Sequence, residues 1–113
     1  MVQTDRAARI FKVLSVETRL RLLVLLRQRS LCVNALARRL GVTPAAVSQH
    51  LRVLRDADVV IADKQGYHVH YRINPDTLAQ WAGVARDMLE GSGPNAPVLD
   101  SPGLVLKPFG GQE

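Results

Sequence analysis

GVTPAAVSQHLRVLRDADVV, residues 41–60, opens on a turn and then spaces its apolar residues as an α-helix does. Thr43-Pro44 reads as N-cap and first helical position, because a threonine hydroxyl accepts an orphan N–H and proline needs none there. At about 100° per residue, Val47, Leu51 and Leu54 cluster within about 60° of one another. Ala45, Ser48, Gln49 and Arg52 fall on the opposite side, with His50 at the margin of the apolar face. A helix packed all round would carry Leu or Ile at those outer positions. This one keeps a slim, polar, lightly charged outer face.

Upstream, VNALARRLG sets Val33, Leu36, Ala37 and Leu40 on one side of a helix, and Gly41 ends it as a left-handed C-terminal residue would. Before that, TDRAARIFKVL (residues 4–14) places Ala7, Ile10, Phe11 and Leu14 at helical spacing. Ser15 can cap a further helix, VETRLRLLVLLRQ, with Leu20, Leu23, Val24 and Leu26 as its apolar face. Downstream of Asp58 the period changes. VVIADK and YHVHYRI are β-rich runs joined at Gln65-Gly66, as in a hairpin. Asn74-Pro75 starts a last helix, whose stripe Leu78, Trp81, Ala85 and Met88 runs on to Glu90. The expected order is helix, helix, helix, helix, strand, strand, helix: mainly α with a β-hairpin, a winged helix-turn-helix. Residues 1–90 form that domain. Residues 91–113 read as a Gly/Pro-rich tail whose run LVLKPF offers one apolar patch.

Composition bounds the function. The 113 residues suffice for one domain with a modest core, and 47% of them are apolar. No uncharged apolar run approaches the roughly 18–20 residues of a membrane span, and the N-terminus lacks the apolar stretch of a secretory signal. The single Cys32 excludes an internal disulfide framework, which fits a cytoplasmic location. Charge is unevenly placed. Arg6 to Arg72 holds thirteen Lys/Arg against four Asp/Glu, a net +9, while the rest of the chain nets −4. A basic body points to a polyanionic partner. No nucleophile–base–acid set, phosphate loop or paired-acid cleft points to an enzyme.

The slim face matches a major groove, about 12 Å wide, which admits one helix. Thr43 stands where it can bond a phosphate, and Ala45 and Ser48 are narrow enough to enter. Gln49 can pair with adenine through both ends of its amide, and Arg52 suits phosphate or guanine. Arg38 and Arg39 on the preceding helix are better phosphate clamps than base readers. Lys64, Gln65, Gly66 and Arg72 on the hairpin are expected to reach flanking backbone or minor groove. Double-stranded DNA is therefore the expected partner. The competing reading is a winged-helix module whose basic face meets an acidic protein; sequence-selective retention against mixed DNA separates the two.

SVETRLRLLVLL, SLCVNALARRLGVTPAAVSQHLRVLRDADVV and KQGYHVHYRI together resemble the ArsR/SmtB family of bacterial repressors, over residues 6 to 90. The resemblance implies a homodimer built from the first and last helices, a palindromic operator, and repression relieved by an effector. The residues themselves offer Ile10, Phe11, Leu78, Trp81, Ala85 and Met88 as the dimer surface; the alternative is that this stripe packs inside the single chain. Arsenic sensors of the family carry a segment like LCVC, whereas this chain has LCVNALA, with Asn34 in place of the second cysteine. One thiol per chain is too few for a closed soft-metal site. Cys32 is then either a reactive thiol near a helix start or a small core residue. At the positions matching the family's zinc-type ligands stand Pro75, Thr77, Met88 and Gly91, none of them a usual ligand, so no metal is expected there. His68 and His70, two apart on a strand, share a face. They are either wing surface residues or, with Cys32 or Asp76, a metal or metalloid effector site.

Overall fold

The structure, a computed structural model, describes residues 3–91. The elements run α1 (Thr4–Leu14), α2 (Glu17–Leu26), β1 (Leu31–Cys32), α3 (Val33–Leu40), α4 (Pro44–Asp56), β2 (Val60–Gln65), β3 (His68–Ile73) and α5 (Pro75–Glu90). The five helices and the hairpin stand where the periodicity puts them. The chain adds β1, a two-residue strand that pairs antiparallel with β3 and makes a three-stranded sheet in the order β1-β3-β2. Two residues carry too little periodicity to announce a strand. The expected tail, apart from Gly91, and its LVLKPF run lie outside the described residues.

The core explains the order of the helices. Val47, Leu51 and Leu54 of α4 are 0%, 1% and 0% exposed and meet Leu22 of α2, Leu36 of α3 and Val59. Burying each such side chain contributes about 1.5–3 kcal/mol. No polar or charged residue is buried among the described residues. Gly41 sits at φ 69° and ψ 32°, and its N–H and that of Val42 both donate to the Ala37 carbonyl, at 2.9 and 3.2 Å. That left-handed step lets α3 stop and α4 start within three residues.

Three local expectations differ from what the chain does. The Ser15 hydroxyl donates to the Lys12 carbonyl at 2.9 Å, so it serves the end of α1; Val16 occupies the N-cap of α2 without a side-chain bond. On α2, Leu22, Leu23 and Leu26 face the core, leaving Leu20 and Val24 45% and 53% exposed. In a run of nearly continuous leucine and valine, several helical phases look equally apolar, and packing selects one. The hairpin turns one residue later than Gln65-Gly66: Gln65 pairs with His68, and Gly66 and Tyr67 form the turn. Gly66 has φ 64° and Tyr67 a negative φ, the pattern of a turn that needs glycine at its first central position. Asn74 precedes α5 but makes no side-chain cap; its N–H donates to the Val59 carbonyl at 2.8 Å.

The α1/α5 stripe is divided. Ile10 and Trp81 are only 3% and 9% exposed and belong to the chain's own core, so for these two the packing alternative holds. Leu78, Ala85 and Met88 are half-buried, while Phe11 and Leu89 remain exposed at 38% and 76%. Arg6 donates to the Gln80 side chain at 3.3 Å, tying α1 to α5.

Candidate nucleic-acid interface

The quoted stretch builds the centre of the site. Thr43 adopts extended backbone, and its Oγ1 accepts the Ala46 N–H at 3.1 Å, so the N-cap is made as the sequence reads. Pro44 then costs no hydrogen bond. With the apolar side of α4 locked into the core, Ala45, Ser48, Gln49 and Arg52 are all exposed on the other side. From Ala45 to Arg52 the face is about 10 Å long, and its residues fall within an arc of about 100°. Thr43 is exposed beside its first turn. The face has the width and the hydrogen-bonding groups to enter a major groove.

Cations flank it. Arg38 and Arg39 are exposed in the last turn of α3, and Arg52 and Arg55 continue along α4. None of these four has a carboxylate within salt-bridge distance among the described residues. They are free to meet phosphates.

The wing brings Lys64, Gln65 and Gly66 together at its exposed tip. Arg72 is different. It lies on β3 away from the tip, and its Nε donates to Asp63 Oδ2 at 2.6 Å. Half-exposed as the pair is, the sequence reading of Arg72 as a wing contact needs correcting: its charge already has a partner. The same tip presents Tyr67, fully exposed at 103%, which the sequence reading missed. Its signal was present in the Gly66-Tyr67 dipeptide, since the residue after a turn glycine projects from the hairpin.

The effector candidates gather on the sheet face turned away from Leu31 and Val60. Cys32 pairs with His70, and His70 with Asp63, so the three stand in one row across β1, β3 and β2. His68 lies on the same face, nearer the tip. Cys32 is also the N-cap of α3 and is half-buried, and His70 Nδ1 is buried without a hydrogen-bond partner. Among the described residues, no three His, Cys, Asp or Glu side chains gather closely enough to hold a metal ion. Pro75, Thr77 and Met88 lie on α5, with Gly91 just beyond it.

Comparison with known proteins follows this geometry. Residues 17–62, which contain α2, α3, α4 and the start of β2, match the bacterial regulatory proteins of the arsR family. The arsenical resistance operon repressor of Escherichia coli K12 is 40% identical over 79 residues, which are 69% of this chain and 67% of that protein. Against two further curated relatives the match spans 62% and 56% of their lengths. A crystal structure described as a possible transcriptional regulator for arsenical resistance superposes with a TM-score of 0.66 at 37% identity, covering 70% of this chain and 82% of the other. The homodimeric winged helix-turn-helix DNA-binding domain of a possible ArsR-family regulator from Mycobacterium bovis gives 0.62 at 32% identity, covering 76% and 83%. With a turn, a reading helix and a wing already in place, these likenesses establish that the chain belongs to the arsR family of bacterial regulatory proteins.

Proposed function

We propose that the protein is a sequence-specific DNA-binding repressor that works as a homodimer on a palindromic operator and is released by an effector. One observation carries the reading: the outer face of α4 is narrow, exposed and hydrogen-bonding, while its inner face is locked into the core. Thr43, Ala45, Ser48, Gln49 and Arg52 enter or flank the major groove; Arg38 and Arg39 grip phosphates; Lys64, Gln65 and Gly66 reach the flanking DNA. The dimer uses α1 and α5, where Phe11, Leu78, Ala85 and Met88 still offer apolar surface, and a dimer of this kind spaces its reading helices by about 34 Å. The similarity to a homodimeric domain supports that assembly. Residues 1–90 constitute the DNA-binding and dimerisation domain, and residues 91–113 are an appendage to it. No described helix is long and apolar enough to cross a membrane, and we place the protein in the cytoplasm, where its DNA is.

A second reading concerns the effector. The relatives named for arsenical resistance favour a thiophilic species, and the Cys32–His70 pair with its orphan Nδ1 is where such a species would bind. The chemistry is that of soft-metal or thiol-reactive recognition.

The test is selection of bound duplexes from a random-sequence pool, followed by fluorescence anisotropy on the selected and on random DNA. A palindromic consensus, with affinity falling steeply as salt rises, is the expected result. Arg38→Ala and Arg39→Ala each weaken all sequences and reduce the salt slope by about one. Selection that returns no consensus refutes the proposal. In the same assay arsenite, zinc and a mild oxidant are added to the wild type, Cys32→Ser and His70→Gln; a response that survives both substitutions removes the second reading.

A further inference from the structure

Arg19 of α2 holds an unusual position. It is half-buried, and no carboxylate lies within salt-bridge distance of it among the described residues. Instead its Nη1 donates to the Val13 carbonyl at 3.2 Å, and its Nε donates to His50 Nδ1 at 3.3 Å. Val13 is in the last turn of α1, where carbonyls have no helical partner. His50 stands on α4, next in sequence to Gln49 and at the edge between the packed and the outer face. One guanidinium thus joins three helices, reaching 31 residues along the chain to do so. An arginine can accept nothing, so the bond to Nδ1 requires an imidazole whose Nδ1 is unprotonated and whose proton sits on Nε2.

We propose that Arg19 is a positioning residue for DNA reading: by tying His50 to the end of α1, it sets the rotation of α4 about its own axis and with it the aim of Gln49. The inference rests on the DNA-reading function proposed above. The reason for such a strut lies in the core. Val47, Leu51 and Leu54 hold α4 through apolar contacts alone, which resist separation but are non-directional. A rotation of about 20° at a side-chain radius of 5–6 Å displaces a reading group by ~2 Å. Hydrogen bonds to a base edge do not survive that displacement, because they need N···O distances near 2.9 Å and near-linear geometry. Contacts to phosphates from flexible arginines do survive it. The strut therefore acts on discrimination between sequences and leaves general affinity for DNA nearly untouched. It also links α1, which lies in the proposed dimer contact, to the reading helix.

The experiment compares full-length wild type with Arg19→Met, His50→Leu, His50→Asn and the Arg19→Met/His50→Leu double variant. Each is titrated against the selected operator and against random DNA, with a thermal melt run in parallel. Arg19→Met and His50→Leu are expected to cut the ratio of specific to random affinity by about tenfold, with random-DNA affinity within about twofold of wild type. His50→Asn restores an acceptor oxygen near the Nδ1 position and is expected to recover the ratio to within about threefold. The double variant loses no more than either single one, as for two members of one interaction. His50→Asn behaving like His50→Leu overturns the proposal, and so do additive losses or an unchanged ratio in folded variants. Should Arg19→Met fail to fold, the Leu–Asn comparison at position 50 still decides. If the wild type itself prefers no sequence, the function reading fails and the positioning role fails with it; if the wild type discriminates and the folded variants discriminate equally, only the positioning role fails.

Discussion

Gln49→Ala isolates base reading from everything else the domain does. The side chain is exposed and makes no hydrogen bond among the described residues, so its removal opens no cavity and orphans no partner. Alanine is the better helix former by a few tenths of a kcal/mol, and the melting temperature is expected to stay level or rise slightly. Binding behaves differently. A bidentate amide–adenine pair carries about 1–3 kcal/mol of discrimination, and a two-fold dimer makes the contact twice, for about 2–6 kcal/mol in total. The lower end corresponds to roughly 30-fold and the upper end to more than about 10⁴-fold in the dimer's operator affinity. Random DNA has no adenine placed to be read, and its affinity stays nearly constant. Anisotropy titrations on both duplexes at two salt concentrations give the four numbers needed. Equal losses on operator and random DNA would refute the assignment, as would a specific affinity that does not move.

Further expectations follow from the surrounding structure. Leu51→Ala removes a side chain with 1% exposure between α2 and α4 and is expected to cost about 2–5 kcal/mol in chemical denaturation; a cost under 1 kcal/mol would mean that α4 is not packed as described. Gly41→Ala meets no atom within 4 Å, so its cost is the left-handed backbone alone, about 1–2 kcal/mol, and a much larger loss would show that the turn tolerates no side chain for another reason. Asp63→Asn breaks an ion pair whose side chains are 47% and 39% exposed; stability should fall by no more than about 1 kcal/mol. The freed Arg72 should strengthen binding to any DNA and steepen the salt dependence by up to about one unit. A larger stability loss with unchanged DNA affinity would show that Arg72 serves the wing's fold and not its charge.

Much of the reading head was legible because its signals are local. Thr43-Pro44 and Gly41 each act through backbone geometry within four residues, and Val47, Leu51 and Leu54 repeat at a helical period that a polar face interrupts. Where those conditions fail, so does the reading. The α2 run LRLLVLL has apolar residues in almost every phase, and only packing shows that Leu22 is inside and Leu20 outside. Strand β1 is defined by its partner on β3, with Leu31 opposite Tyr71, and nothing near Leu31 announces it. Trp81 sits on a stripe that suits a partner helix as well as it suits the chain's own core; its burial depends on α1 lying across it. Arg72 looks like a DNA contact until the register brings Asp63 within reach. The Arg19–His50 bond joins side chains that have no sequence relation at all.

The interior of the domain holds no charged or polar residue, and each of its three ion pairs lies at the surface, among the described residues. Folding then depends on a force that ordinary salt scarcely alters, while the proposed grip on DNA depends on one that salt weakens steeply. Ionic strength becomes a dial on occupancy that leaves the folded fraction alone. A cell that accumulates potassium after osmotic shock would loosen this protein from its sites without unfolding any of it, and would find it intact when the ions are expelled.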